Sequence, residues 1–224
     1  MRTDEAIQAP FPGRVIEGAA GLASGSNLGR APSSKQDLEL AALVFGFGSE
    51  DRCRVYLERL RWPTGVTCPR CDASNGISRI EARGQFDCGS CGYQFSVRAG
   101  TILHASHLPL WKWFRAVYIM AGSRDGVSAN RLKEMLGVSY KSAWFLSHRI
   151  RAAMKDEVPS RYSEIVDVPE LTRRSDVSVK HLPRYQDEMM FRLNNRENPH
   201  LFRDILLRLV RADSMSYADL IASA

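Results

Sequence analysis

Two cysteine pairs are the residues whose types and spacing indicate chemistry most directly. A CxxC turn places two thiolates at the spacing that a tetrahedral zinc ion requires, and two such turns fill all four ligand positions. Sixteen residues separate the two pairs. The sequence therefore predicts one structural Zn²⁺ with no open position for a catalytic water. The four predicted ligands are Cys68, Cys71, Cys88 and Cys91.

Other functions for these and nearby residues are less favoured. A thiol redox site needs only one CxxC pair and usually stands in a βαβ unit. His104 and His107 follow the second pair in TILHASHLPL. Because four thiolates complete the metal's shell, we expect both histidines in surface or local polar contacts. Cys53, in DRCRVYLERL, is expected to be a small buried residue of a helix.

The elements around the cysteines predict a zinc ribbon over residues 66–108. ISRIEARGQFDC contains two short alternating runs around Arg83-Gly84, which indicates a hairpin, and YQFSVRAGT alternates again as a third strand. A ribbon of this size buries too little apolar area to fold alone. The metal must supply much of its folding free energy.

Composition favours a polyanionic partner. The 224 residues allow one or two domains, and the net charge of +6 makes nucleic acid the first candidate. No apolar run approaches the ~18 residues of a membrane span, and no signal peptide is indicated, so no membrane partner is expected. We expect a cytoplasmic, nucleoid-associated protein, in a reducing compartment where paired cysteines favour metal over disulfides.

Upstream of the ribbon, the chain changes from low complexity to helix. Residues 1–36 are rich in Gly, Pro, Ala and Ser and are predicted to be a disordered tail. Residues 37–65 are predicted to form helices, DLELAALVFGF and then SEDRCRVYLERL. Ser49 is the expected N-cap of the second helix, which Trp62-Pro63 should end.

From Pro109 onward the apolar period becomes helical. LPLWKWFRAVYIMAG is followed by SANRLKEML and YKSAWFLSHRIRAAM, and Gly137-Val138-Ser139 joins the last two. Two helices connected through a glycine turn predict a helix-turn-helix-like DNA-binding segment over 109–155. Ser128 and Ser139 are the expected N-caps. A plain packing motif is the alternative. The expected inward set is Leu132, Leu136, Val138, Ala143, Leu146 and Ile150.

Positive charge is concentrated in this segment. Residues 109–155 contain nine basic and two acidic side chains, a net +7, which exceeds the +6 of the whole chain. We therefore expect base-edge and phosphate contacts to double-stranded DNA from these helices. For Trp144 and Phe145, packing on the preceding tryptophan-rich helix is favoured over base contact. The predicted DNA-binding residues are Arg131, Lys133, Tyr140, Lys141, Ser142, His148, Arg149 and Arg151.

The last third divides into a linker and helices. Residues 156–179 show no sustained period, whereas 180–224 contain two amphipathic helices, the second with Leu201, Ile205 and Leu209 on its apolar face. The linker's acids are interpreted as a solvated run; the alternative is a metal site for DNA cleavage. These acids are Asp156, Glu157, Glu164, Asp167, Glu170 and Asp176.

The string FDCGSCGYQFSVRAGTILHASHLPLWKWFRAVYIMAGSRDGVSANRLKEMLGVSYKSAWFLSHRIRAAM resembles the N-terminal part of a family of bacterial insertion-sequence transposases. Those proteins have a zinc ribbon, a helix-turn-helix-like segment and a DDE-type catalytic domain. YLERLRWPTGVTCPRC fits the same pattern, and KHLPRYQDEMMFRLNNRENPHLFRDILLRLVRADSMSYADL resembles their helical C-terminal end. The resemblance covers roughly 49–155 and 180–220. It implies terminal inverted repeats as the DNA target, and self-association or association with intact transposase.

One departure from the family is large. The resemblance places an RNase-H-like sheet with an acidic triad between the two matches, and here that gap holds 24 residues, 156–179. Such a length cannot contain a five-stranded sheet with its helices. Asp167 is the nearest aspartate, but its surroundings do not match, so no catalytic residue is predicted.

The sequence thus predicts an α+β chain: a small zinc-ribbon β module, a helix-turn-helix, and C-terminal helices as a remnant of the longer family. The expected function is DNA binding without strand transfer. Two alternatives stay open. One is a working nuclease or transposase that uses the linker acids, and the other is a zinc-ribbon protein-interaction or transcription module.

Overall fold

A computed structural model describes residues 48–123, 126–155 and 181–222. Within these ranges the chain has the predicted α+β composition, with seven α-helices and a three-stranded antiparallel sheet. The predicted disordered tail, the helix expected at 38–48 and the linker with its acids lie outside the described residues, apart from Gly48.

The first described helix, α1 (Glu50–Arg61), has the predicted ends. The Ser49 hydroxyl accepts a hydrogen bond from the backbone N–H of Arg52 at 3.2 Å, and Glu50 and Asp51 occupy the first turn. An acidic first turn is favourable at the positive end of the helix dipole. The helix ends at Trp62, as predicted.

The ribbon sheet has the strand order β1-β2-β3, with β1 (Ile77–Ile80), β2 (Gln85–Cys88) and β3 (Gln94–Phe95). The predicted hairpin is confirmed: Ile80 pairs with Gln85, and Glu81–Arg83 form a 3₁₀ turn between them. The third strand is shorter than predicted. The Ser96 hydroxyl accepts from the Arg98 N–H at 3.3 Å, and this local bond competes with continued strand pairing.

Six helices follow the ribbon. Their bounds are α2 (Leu110–Gly122), α3 (Ala129–Leu136), α4 (Tyr140–Ala153), α5 (Leu182–Asn194), α6 (Leu201–Arg211) and α7 (Tyr217–Ala222). The first five match predicted helices. The sequence analysis did not predict α7.

Two apolar clusters stabilise the chain. The larger is built from side chains of α1 to α6 together with the segment after β3. The smaller lies in the ribbon and consists of Cys68, Phe86, Cys88, Phe95 and Ala99. Trp62, at the end of α1, packs against both clusters and joins the ribbon to the helical body.

The C-terminal helix α6 is part of the same core as the N-terminal helices. It lies against α1 and α2, and Phe202 meets Phe114 edge-to-face with ring centroids 6.0 Å apart. The backbone N–H of Ile102 donates to the carbonyl of Ala212 at 3.0 Å. The two ends of the described chain therefore form one packed unit. The buried face of α6 is Phe202, Ile205, Leu206, Leu209 and Val210.

Candidate zinc centre and nucleic-acid interface

The structure brings the four predicted zinc ligands together. Their Sγ atoms all lie within 4.8 Å of one another. Cys68 and Cys91 are 3.7 Å apart at sulfur, and so are Cys71 and Cys88. A tetrahedral site with zinc–sulfur bonds of about 2.3 Å has sulfur–sulfur edges of about 3.8 Å. The four cysteines therefore fit one structural zinc ion.

The two knuckles have matching backbone geometry. The N–H of Asp72 donates to the carbonyl of Cys68 at 2.9 Å, and the N–H of Gly92 donates to that of Cys88 at 2.7 Å. Both donors are left-handed, with φ of 57° at Asp72 and 65° at Gly92. A left-handed residue is easily supplied by glycine and less easily by aspartate. Two turns of the same type, one from each knuckle, therefore supply two sulfurs each to the site.

The fifth cysteine, Cys53, and the two histidines near the ribbon do not belong to the group of four zinc ligands. Cys53 is fully buried on α1, as predicted, and its burial raises the pKa of the thiol to about 12. It therefore remains a protonated, unreactive thiol at neutral pH. His104 and His107 lie exposed before α2, and they do not belong to the cysteine cluster.

Arginines around the ribbon make internal contacts. Arg79 forms an ion pair with Glu58 of α1 at 2.9 Å, and Arg98 pairs with Glu50. The Arg61 guanidinium donates to the carbonyl of Val97 at 2.7 Å. Since these groups attach the ribbon to α1 and to the loop after β3, much of the ribbon's positive charge has a structural use.

Helices α3 and α4 have the caps and the turn that the sequence predicts. The Ser128 hydroxyl accepts from the Arg131 N–H at 3.2 Å, and the Ser139 hydroxyl accepts from the Ser142 N–H at 3.1 Å. Gly137 ends α3 in the left-handed region, with φ 58° and ψ 52°. All of the predicted inward set is buried except Val138, which is half-buried.

The start of α4 lies at the surface. Tyr140 is 50% exposed, Lys141 is exposed, and Ser142 is half-buried beside Ser139, with the two hydroxyl oxygens 2.9 Å apart. On α3, Arg131 and Lys133 are exposed as well. Five of the eight residues predicted to contact DNA are therefore at least partly accessible to a partner.

The end of α4 is buried, which corrects the other three assignments. His148, Arg149 and Arg151 have exposed fractions of 0%, 3% and 1%. Side chains buried to this degree are closed to a partner, because α5 and the segment before α7 cover this part of the helix. The sequence analysis assigned these residues from the α4 sequence alone and took no account of the later segments that pack on the helix.

Arg151 belongs to a buried polar network. Its Nε donates to Glu188 of α5 at 2.6 Å, and the same guanidinium donates to the Ser147 hydroxyl at 3.0 Å and the Val127 carbonyl at 2.8 Å. The guanidinium also lies over the Tyr185 ring, 4.0 Å from its centroid. Arg151 therefore holds α5 on α4.

His148 is buried in an aromatic environment. Its ring lies 4.2 Å from that of Trp144 and 4.9 Å from that of His181, centroid to centroid. Burial, together with the nearby charges of Arg151, His181 and Arg184, lowers the pKa of His148 to about 3. The imidazole is therefore neutral at physiological pH.

Trp144 and Phe145 are half-buried, and they pack against a different element from the one expected. Both rings meet Tyr217 of α7, at centroid distances of 6.0 and 6.2 Å. Sequence reasoning missed Tyr217 because α7 was not predicted. A signal was present: Ser216 and Asp219 form a capping box, with their reciprocal hydrogen bonds at 2.7 and 3.2 Å.

Comparison with known proteins agrees with this geometry. Residues 48–94 match a family model described as a transposase zinc-ribbon domain. A protein of Halobacterium salinarum, described as an uncharacterized protein in transposable element ISH50, is 34% identical over 112 residues. The chain therefore carries a zinc ribbon of the transposase type and is similar to a protein found in an insertion element.

The chain matches little more than a third of the length of this relative. The aligned region is 48% of this chain and 37% of the Halobacterium protein. The family match begins before α1 and includes both knuckles, in agreement with the packing of Trp62 on the ribbon. No solved structure matches the chain. Among the helices described, none has the length and apolarity needed to cross a bilayer.

Proposed function

We propose that this transposase-related chain binds double-stranded DNA, with the terminal inverted repeats of its element as target, and does not carry out strand transfer. The observation that carries the proposal is the group of exposed cations at the start of α4 and on α3, namely Lys141, Arg131 and Lys133. Such a basic helix pair suits a polyanion.

The accessible residues divide by chemistry. Arg131 and Lys133 are suited to phosphates, which position a protein on the duplex. Tyr140, Lys141 and Ser142, in the first turn of α4, can reach base edges or the backbone. Lys112 supports this arrangement, since its ammonium donates to the carbonyl of Gly137 at 3.2 Å and holds the turn on α2.

In this proposal the zinc ribbon is a scaffold. Two of its arginines, Arg79 and Arg98, are ion-paired to Glu58 and Glu50, so these two contribute less to DNA binding than the exposed cations of α3 and α4. The metal folds the ribbon, and the ribbon fixes α1 through Trp62. DNA affinity should therefore depend on zinc indirectly.

Absence of strand transfer is supported by the length of the segment between α4 and α5. Residues 156–180 join the two helices, and this length is too short for a catalytic sheet. Among the residues described, the four cysteines are the only group of three or more ligand side chains close enough to share an ion. Without catalysis, the chain would compete with intact transposase at the element's ends or form mixed oligomers with it.

The binding test uses fluorescence anisotropy with a labelled duplex of the element's terminal repeat and a shuffled duplex, over a range of salt concentrations. We expect tighter binding to the repeat and a strong salt dependence. Lys141→Ala should weaken binding and reduce the salt slope by about 1. Arg196→Ala removes a cation that is 62% exposed between α5 and α6, and it serves as the matched control.

Equal affinities of the wild type and Lys141→Ala would contradict the proposal and favour a protein-interaction module. Cleavage is tested separately, by incubating the zinc-loaded protein and duplex with Mg²⁺ or Mn²⁺. Intact DNA is expected. Metal-dependent cleavage that Asp167→Ala abolishes would instead establish the nuclease alternative.

A further inference from the structure

Tyr217 lies beside the exposed half of α4 although it comes from the far end of the chain. Tyr217 is 49% exposed, and the Lys141 ammonium is 5.8 Å from the centroid of its ring. Tyr140, next to Lys141 in sequence, is 50% exposed. Among the described residues, these two tyrosines are the large apolar side chains most open to solvent, and both neighbour the same lysine.

The position of Tyr217 is imposed by contacts on both sides. Its buried edge meets Trp144 and Phe145, as described above. Immediately before it, the Arg149 guanidinium donates from Nε to the Met215 carbonyl at 3.1 Å and makes a second bond to the same oxygen from Nη2. The third bond of Arg149, from Nη1 to the His104 carbonyl, is 2.9 Å long. Arg149 thus ties the segment before α7 to α4 and to the loop before α2.

The segment is also fixed at its other end. Thr101 and Asp213 form an isolated antiparallel bridge, and the Ala212 carbonyl accepts from Ile102. The Ser216–Asp219 capping box then sets the start of α7. Three separate contacts, namely the Arg149 bonds, the Thr101–Asp213 bridge and the capping box, therefore hold an amphipathic ring, about half exposed, at the edge of the basic surface.

We propose that Tyr217 is a further DNA-contacting residue, whose phenol hydroxyl donates a hydrogen bond to a phosphate next to the one bound by Lys141. This inference rests on the proposed function. Tyrosine hydroxyls commonly make such phosphate contacts, and a neighbouring ammonium keeps the phosphate close. The DNA-facing surface then combines α3 and α4, from the middle of the chain, with Tyr217 from its C-terminal part. Arg149, buried and out of reach of DNA, is a positioning residue.

The test is Tyr217→Phe, which retains the ring packing and removes only the hydroxyl. Affinity for the terminal-repeat duplex should fall about ten-fold, as expected for the loss of a hydrogen bond to a charged group. The salt slope should stay unchanged, because no cation is lost, whereas Lys141→Ala should lower it by about 1. Zinc content and the thermal unfolding midpoint should equal those of the wild type.

The outcomes separate the inference from the proposed function. If Lys141→Ala weakens binding and Tyr217→Phe does not, the role of Tyr217 is overturned and DNA binding by α4 stands. If neither variant changes affinity, both fail. In an Arg149→Met background, Tyr217→Phe should have little further effect; a full ten-fold loss there would contradict the positioning role of Arg149.

Discussion

The ribbon encloses three apolar side chains and two of its own metal ligands, whereas the helical body encloses a core to which six helices contribute. A cluster as small as Phe86, Phe95, Ala99 and two cysteines cannot offset the conformational entropy of some thirty ordered residues. The body can, because α6 returns from the C-terminal end to cover α1 and α2. One region is therefore stabilised by metal and the other by apolar burial.

The two regions also use their arginines differently. In the ribbon, Arg79 and Arg98 are ion-paired to α1 at its surface. In the body, Arg149 and Arg151 are buried and hold the C-terminal segments in place, whereas the cations at the start of α4 and on α3 are among those exposed to a partner. Positive charge in a sequence is thus an unreliable guide to a binding surface until the packing is known.

The largest expected effect is the unfolding of the ribbon, with the helical body left folded. Cys68→Ser removes one of four thiolates, so stoichiometric zinc should be lost, and with it folding free energy on the order of 10 kcal/mol. Metal analysis measures the loss of zinc, and the NMR signals of β1 to β3 show whether the ribbon is still folded. Cys53→Ala, which removes the buried thiol of α1, should keep one zinc. Unchanged zinc and thermal stability in Cys68→Ser would refute the site.

The next largest effect is a loss of stability in the helical body, with the zinc site left intact. Glu188→Gln leaves the Arg151 guanidinium charged and unpaired where both side chains are at most 1% exposed. Breaking such a buried pair typically costs about 3–5 kcal/mol. Urea unfolding should show the loss while zinc stays bound. Glu197→Gln removes the exposed partner of Arg196 and should change nothing measurable; equal effects of the two variants would contradict the buried network.

The stability of the helical body should also depend on pH. Because the pKa of His148 is lowered to about 3, the unfolded chain binds a proton below its usual pKa near 6.5 while the folded chain does not. Stability is therefore complete above about pH 6.5 and falls with pH below it, by about 2 kcal/mol at pH 5.

Urea titrations of wild type and His148→Phe from pH 7.5 to pH 5 measure this contribution. The variant should have a flatter profile over that range. His104→Ala, at an exposed histidine, should retain the wild-type profile. A wild-type slope in His148→Phe would show that other groups cause the pH dependence.

The smallest effect compares the two knuckles. Asp72 and Gly92 occupy equivalent left-handed positions, so Asp72→Gly should relieve strain and stabilise the zinc-loaded ribbon by up to about 1 kcal/mol. Gly92→Ala should destabilise it by a similar amount. Thermal unfolding of the zinc-loaded protein measures both. Opposite signs are required; a loss in both variants would mean that Asp72 contributes something other than its backbone conformation.

Local patterns gave the elements around the site correctly. The ends of α1 follow from Ser49 and Trp62, and the turn between α3 and α4 follows from Gly137 and Ser139, because caps and left-handed residues act over a few positions. The third strand is shorter than predicted, because the Ser96 hydroxyl binds the backbone N–H of Arg98 in place of a strand partner. Helix α7 was missed although its capping box is present in the sequence.

The sequence by itself determined the zinc site, since two CxxC turns and a hairpin bring four sulfurs together through local geometry. It also determined that positive charge is concentrated between 109 and 155. Only the tertiary structure decided which of those charges face solvent. Burial of Arg149, Arg151 and His148 depends on α5 and the segment before α7, which lie more than thirty residues further along the chain. Helical spacing describes one helix and contains no information about what covers it.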